Sequence, residues 1–242
     1  MKILILSDVH ANIEALTAIE AAERPFDRVF CNGDIVDYGP SPNECIEWLK
    51  DWRADVVRGN HDNAVGARVD CGCVGPFRRL SEATRQLMWT LLDEREQKWL
   101  AELPITRTHL VDGVSFYQCH ATPRRISEYI TRETTESEWL ELFQDVAADI
   151  VLLGHTHLQI ERQLDGRRFV NPGSAGQAKP RGSIAQYAVW QDGAVYLKSV
   201  PYDYEKTQAK LRSLPLEPQI TEELCWVLEY GGLHGYRRSP RI

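Results

Sequence analysis

The chain has 242 residues and is short of several things, each of which excludes a class of protein. No apolar run approaches the roughly 20 residues of a membrane-spanning helix. Basic residues are outnumbered: 28 Lys and Arg against 35 Asp and Glu give a formal charge of -7. No basic face is therefore expected, and no non-specific nucleic-acid binding. Cysteines are few and scattered, at 31, 45, 71, 73, 119 and 225. Their one close pair, Cys71-Gly72-Cys73, lacks the two-residue spacing of zinc and redox motifs, so these positions read as free thiols. Disulfides are not expected, and a reducing cytoplasm is the expected location. The opening Met1-Lys2-Ile3-Leu4-Ile5-Leu6-Ser7-Asp8 has too short an apolar run for a signal peptide and turns acidic at once. Repeats, linkers and low-complexity segments are also missing, so one domain over 1–242 is expected.

What is present suits a packed globule. Hydrophobic residues make up 43% of the chain, enough for a sizeable core. Lys2 to Ser7 reads as a strand buried on both faces, followed by a helical stripe at Ile13, Leu16 and Ile19 with Asn12 as N-cap. Arg28 to Cys31 and Asp55 to Arg58 read as further strands. Between them, Ser41-Pro42-Asn43-Glu44 has capping-box spacing and proline at the first helical position. Residues 64 to 80 hold several glycines and read as loop. Ser81 to Leu92 and a second helix, capped by Asp93 and Glu96, complete a helical insertion at about 64–103. That insertion carries no motif and is expected to border the site.

Later segments change character. Asp112-Gly113, Asp165-Gly166 and Asp192-Gly193 each separate two strand-like runs, which is a strong hairpin signal. A helix near Glu136 to Ala147, capped by Thr135 with Glu138, precedes a buried strand at Ile150 to Leu153. A C-terminal extension, about 205–242, reads as helical and then irregular.

Five of these strands deliver polar residues at their carboxyl ends, where open α/β sheets bind ligands. They are Asp8 and His10, Asp34, Asn60 with His61, His120, and His155 with His157. Singly, each piece is commonplace: Asp-x-His makes a capping loop, and Gly-Asn-His-Asp favours a turn. Jointly they are not, because five of the seven histidines fall at these strand ends. Leaving His61 aside, the donors are two carboxylates, an amide and four imidazoles. That set suits Mn, Fe, Zn or Ni. Seven ligands are too many for one ion and suit two ions sharing a carboxylate, about 3.5–4 Å apart.

With Asp8-Val9-His10, Gly33-Asp34-Ile35-Val36-Asp37, Gly59-Asn60-His61-Asp62, the lone His120 and Gly154-His155-Thr156-His157 in this order, the chain resembles the calcineurin-like metallophosphoesterases. The match spans residues 3 to 175. The Asp37-Tyr38-Gly39-Pro40 run is similar to that of the small bacterial and archaeal branch. Ala11 and Cys119 stand where many members have glycine. The resemblance implies a four-layer αββα sandwich of two mixed sheets. It implies that Asp8, His10 and His157 hold a first divalent ion, that Asn60, His120 and His155 hold a second, and that Asp34 bridges them. A water between two cations becomes a hydroxide nucleophile at neutral pH. His61 would protonate the leaving alkoxide, oriented by Asp62 or a backbone carbonyl, and Asp37 would fix the tautomer of a ligand.

The expected activity is hydrolysis of a small phosphate ester, as a phosphodiesterase or phosphatase. Nucleotide pyrophosphate hydrolysis, including dinucleoside polyphosphates, is the alternative. A protein phosphatase is disfavoured, since nothing announces a peptide groove. A non-catalytic scaffold of the same fold should lack ligands or His61, and all are present. Arg124 and Arg125 fit a phosphate clamp and a solvated loop equally well, Asn171-Pro172-Gly173-Ser174 reads as a turn, and His109 and His234 read as surface residues.

Overall fold

The computed structural model describes residues 1–73, 75–131 and 133–234. In chain order the first elements are β1 (Lys2–Leu6), α1 (Ile13–Glu23), β2 (Arg28–Cys31), α2 (Pro42–Asp51) and β3 (Asp55–Val56). Three helices follow: α3 (Asn60–Ala67), α4 (Phe77–Leu91) and α5 (Glu94–Glu102). Next come β4 (Thr106–Val111), β5 (Val114–Cys119), α6 (Glu136–Leu142) and β6 (Ile150–Leu152). The remainder is β7 (Gln159–Leu164), β8 (Arg167–Pro172), β9 (Ile184–Gln191), β10 (Ala194–Pro201), α7 (Tyr204–Arg212) and α8 (Pro218–Tyr230).

The strands form two five-stranded mixed sheets, ordered β10-β9-β1-β2-β3 and β4-β5-β6-β8-β7. Alternation along β1 sorts its residues between two cores. Ile3 and Ile5 point between the sheets, where they meet Phe30, Phe116, Ile150, Leu152, Val170 and Trp190. Leu4 and Leu6 point the other way, onto Leu16 and Ile19 of α1 and Ile46 and Leu49 of α2. The outer face of the second sheet, with Val151, Leu153 and Phe169, is covered by Trp139 and Phe143 around α6. The layers are therefore helix, sheet, sheet, helix, as expected. Each fully buried large apolar side chain contributes roughly 1.5–3 kcal/mol, so the three interfaces fix the sheets rigidly behind the strand ends.

All three Asp-Gly hairpins form. Asp112, Asp165 and Asp192 and the glycines after them all have positive φ. That is the type I′ requirement, and it sets the close pairs Val111–Val114, Leu164–Arg167 and Gln191–Ala194.

Several expectations need correction. Residues 60–67 are helical, because Gly59 acts as N-cap and the Asp62 carboxylate accepts its N–H at 2.9 Å. Strand β3 ends at Val56, two residues early, where the chain leaves the sheet for that helix. Ser41 does not cap α2; its hydroxyl accepts from Lys210 Nζ at 3.0 Å instead. Helix α6 stops at Leu142. His109 is half-buried, stacked on Phe30 with ring centroids 4.5 Å apart and bonded to Gln118 Oε1 at 2.7 Å. His234 is exposed, against the Trp226 ring. In the C-terminal extension α7 and α8 are observed, and the irregular end expected at 235–242 lies outside the described residues.

The inserted helices contribute Val65, Met88, Leu92, Leu100 and Leu103 to the core of the first sheet. Leu211, Leu224 and Leu228, from α7 and α8, form a smaller cluster with Leu80 of α4 and Tyr38. All six cysteines are free, and no helix among the described residues is long and apolar enough to cross a membrane.

Candidate metal centre

The loops after β1, β2, β5 and β6 and the start of α3 meet at one end of the two sheets. Their backbones are unusual: Asp8, His10, Ala11, Asp34, Asp37, Tyr38, His155 and His157 all have positive φ. Such residues cost about 1–3 kcal/mol each outside glycine and persist where the surroundings over-determine them. In the loop after β2 the determination comes from Asp62. Its carboxylate accepts the N–H groups of Asp34 at 2.8 Å and Ile35 at 2.7 Å, besides that of Gly59.

Two ligand groups result: Asp8 with His10 and His157, and Asp34 with His120 and His155. In the first, His10 Nε2 lies 3.1 Å from His157 Nε2, which is 3.3 Å from Asp8 Oδ1. In the second, His120 Nε2 lies 3.1 Å from Asp34 Oδ2 and 3.0 Å from Asn60 Oδ1. Every expected ligand is buried.

The far side of three rings decides what the near side does. His10 Nδ1 faces the Val36 carbonyl at 3.1 Å, His120 Nδ1 the Asn32 carbonyl at 2.7 Å, and His157 Nδ1 the Gln177 carbonyl at 2.8 Å. A carbonyl only accepts, so in each neutral ring Nδ1 carries the proton and Nε2 is a bare lone pair. His10 and His157 thus aim two lone pairs at each other. His155 Nε2 is buried with no partner. A cation resolves all of these conflicts, and carbonyl-braced imidazoles are the usual support of metal-binding histidines.

The titration shifts agree. Burial drives His10 well below its ordinary value, with the charges of His157 and His61 adding to it. Burial, then His120, lowers His155 to about 3. For His120 burial is outweighed by the Asp34 carboxylate, which raises it to about 9. Burial opposes ionisation of Asp34 too, but His120 and His61 hold it well below the usual carboxylate range. One carboxylate among several imidazoles is poised to stay ionised.

His61 is different. Its Nδ1 donates to Asp37 Oδ2 at 2.7 Å, not to Asp62 or a carbonyl. Asp37 was expected to fix a metal ligand and fixes His61 instead; Asp62 is occupied by backbone N–H groups and cannot reach the ring. Asp37 is itself held by the hydroxyls of Ser81 and Thr84 on α4, so the insertion does border the site. Burial would lower His61, yet Asp34, Cys73 and Asp37 together raise it well above its ordinary value. The His61 ring is edge-on to His10 at 5.1 Å, beside the first group.

The turn expected at Gly-Asn-His-Asp would explain Gly59 by its backbone, but its φ of -88° suits any residue. It is glycine because Asp34 is there: a Cβ would collide with the Asp34 carboxylate and N–H. The Asn171–Ser174 segment is more than a turn. Asn171 Nδ2 donates to the Gly154 carbonyl at 2.6 Å, and Ser174 Oγ to the Asp8 carbonyl at 2.7 Å. Sequence reasoning missed these braces, along with the Asn32, Val36 and Gln177 carbonyls, because backbone acceptors leave no mark in residue type. Arg124 is exposed and paired with Glu128. The exposed Tyr129 ring packs on His155 with centroids 4.2 Å apart, at the rim of the site.

Fold and ligand groups together are those of a metallophosphoesterase. The chain belongs to the calcineurin-like phosphoesterase superfamily, whose domain profile matches residues 1–191. It is 27% identical over 245 residues to an uncharacterized protein of Methanocaldococcus jannaschii, covering 92% of this chain and 96% of that one. The crystal structure of a metallophosphoesterase from Sphaerobacter thermophilus superposes with a TM-score of 0.79 at 28% identity, covering 96% of this chain and 99% of that one. A Pyrococcus horikoshii protein superposes at 0.83 with 20% identity, over 96% and 99% of the two chains.

Proposed function

We propose that the chain, acting as one unit over residues 1–242, hydrolyses small phosphate esters at a centre of two divalent ions. The observation that carries this is the pair of bare Nε2 lone pairs of His10 and His157, facing each other and the Asp8 carboxylate, beside the buried Nε2 of His155 that has no partner. Asp8, His10 and His157 hold one ion, and Asn60, His120 and His155 hold the other. Asp34, a carboxylate kept ionised among imidazoles, would bridge them. When bound, such ions lower the pKa of water toward neutrality and draw charge from phosphoryl oxygens. Mn²⁺ is the first ion to supply, since a thiolate-free set of nitrogen and oxygen donors accepts it.

The protein's own part is proton handling and positioning. His61 keeps its proton at neutral pH and gives it from Nε2 to the leaving alkoxide. Asp37 accepts from Nδ1, holds the ring and stabilises its charged form. Asp62 positions Asp34, Ile35 and Gly59 rather than the imidazole. Tyr129 offers the substrate an exposed aromatic face beside His155. The six free thiols fit a reducing cytoplasm.

The test is turnover by the purified chain with Mn²⁺, Fe²⁺, Zn²⁺ or Ni²⁺. The substrate panel holds chromogenic monoesters, chromogenic diesters, nucleotides and dinucleoside polyphosphates. Release of alcohol or phosphate, abolished by Asp34→Asn, is expected. Silence across the whole panel with every metal would overturn the enzymatic reading.

A further inference from the structure

Beside the ligands already assigned lies another cluster of metal-binding atoms. The loop between α3 and α4 carries Cys71 and Cys73 back over His61. Cys73 Sγ is 3.4 Å from His61 Nε2, and that nitrogen and both sulfurs lie within 4.8 Å of one another. The Tyr38 hydroxyl is 3.7 Å from Cys73 Sγ. Cys71 is buried and Cys73 half-buried, which leaves a way in from solvent.

We infer that His61, Cys71 and Cys73 form a third metal site, selective for a thiophilic divalent ion such as Zn²⁺, that withdraws His61 from catalysis when filled. Tetrahedral zinc with bonds of about 2.3 Å to sulfur and 2.0–2.1 Å to nitrogen sets neighbouring ligand atoms about 3.5–3.8 Å apart. The observed 3.4 Å separation of Cys73 Sγ and His61 Nε2 needs almost no adjustment. The support is also of the metal-site kind. His61 Nδ1 is held by the Asp37 carboxylate and Nε2 faces the Cys73 sulfur, which becomes a carboxylate–histidine–metal arrangement once the ion displaces the Nε2 proton. Cys71 Sγ is in turn fixed by Ser81 Oγ at 3.1 Å, and Ser81 also holds Asp37. Three protein ligands leave a fourth position for the Tyr38 hydroxyl or a water.

Binding needs no oxidant: the ion displaces the proton on His61 Nε2 and any proton still on the two sulfurs, and these pass to solvent. Thiolates favour Zn²⁺ and Cd²⁺ over Mn²⁺, so the third site differs in preference from the thiolate-free groups beside it. The same Nε2 cannot both ligate an ion and protonate a leaving group. Occupancy therefore inhibits, and this consequence alone rests on the function proposed above.

Cd²⁺ is the probe, titrated into the full chain saturated with Mn²⁺. A thiolate-to-cadmium charge-transfer band in the ultraviolet is expected, reaching its plateau at one Cd²⁺ per chain. Cys73→Ser alone, and Cys71→Ser with Cys73→Ser, should abolish it, and His61→Ala should weaken Cd²⁺ at least tenfold. No band in the native chain, or an undiminished band in Cys73→Ser, overturns the site. In the activity arm, with each protein measured against its own zinc-free turnover, Zn²⁺ should inhibit the native enzyme at concentrations at least tenfold lower than the double variant. Equal sensitivity overturns the inhibitory role. The band is read without substrate, so failure of the phosphoesterase reading leaves the binding result intact.

Discussion

His61, in the first turn of α3, and Asp37, in the loop after β2, share a buried hydrogen bond of 2.7 Å. With the charges of Asp34 and Cys73 it raises His61 well above its ordinary value, and it keeps the ring in one orientation outside both ligand groups. Proton transfer by such a group is worth on the order of 10²–10⁴-fold in rate. His61→Ala should lose kcat on that scale while two metal equivalents remain bound, counted by atomic emission. Asp37→Asn should cost roughly 10–100-fold, the usual effect of losing the group that orients a working ring. It should also lower the alkaline pKa of the kcat profile, because the charged ring loses its counter-charge. Loss of metal in His61→Ala would show that the ring is a ligand.

Asp62 predicts a different phenotype. Its carboxylate holds three backbone N–H groups around Asp34 and none of the ring atoms of His61. Hydrogen bonds to a charged group contribute about 1.5–3 kcal/mol each. Asp62→Ala should therefore lower thermal stability and metal content together, with turnover recovering in part at high Mn²⁺. A variant that keeps its melting temperature and metals but loses kcat would return Asp62 to a direct role at His61.

Gly59→Ala should behave as a ligand mutant although Gly59 binds nothing. The added methyl occupies the place of the Asp34 carboxylate and N–H, so one of the two must move. Mn²⁺ affinity should fall at least tenfold, read by titration calorimetry, with far-ultraviolet circular dichroism unchanged.

Much of this was legible in the chain. The strand ends were, because ligands of unlike type recur after buried apolar runs and hydrophobic periodicity locates those runs. The Asp-Gly turns were, because both residues must take positive φ there. What was not legible depends on contacts between distant segments. Nothing local says that Asp37 rather than Asp62 reaches His61, since the choice is made by how β2 and α3 sit side by side. The helical state of residues 60–67 was hidden because Asn60 and Gly66 are weak helix formers, and the capping contact of Asp62 outweighs them. Gly59 was misread for a like reason: its crowding comes from residue 34, not from its own φ.

Glu23 offers a stability test away from the metals. Its buried carboxylate accepts from Tyr187 Oη at 2.7 Å and pairs with Lys2 Nζ at 2.9 Å and Lys198 Nζ at 2.5 Å, tying α1 to three strands. Burial works against its ionisation, but Lys198, Tyr187 and Lys2 prevail and hold it below its ordinary value of 4.5. A depressed acid stabilises the fold above the unfolded value and loses that contribution as the pH falls through the folded one. Glu23→Gln should thus be less stable by about 1.5–3 kcal/mol at pH 7. The gap should shrink steadily below pH 4.5, in urea melts of the metal-stripped proteins. A gap that stays constant with pH would assign the loss to packing.

Metal removal should destabilise the whole chain. Without a cation, His10 and His157 confront each other through bare nitrogens 3.1 Å apart, and the positive-φ loops that carry them lose the ion that draws them together. An ion at 100 times its dissociation constant stabilises the native state by about 2.7 kcal/mol. A chain of this size gains roughly 2–4 °C per kcal/mol. Chelation should therefore lower the melting temperature by about 5–10 °C per ion, reversibly on adding Mn²⁺. His157→Ala should abolish about half of that response, because one ligand group survives. A melting temperature indifferent to chelator and to Mn²⁺ would mean that the two groups do not bind metal in the folded protein.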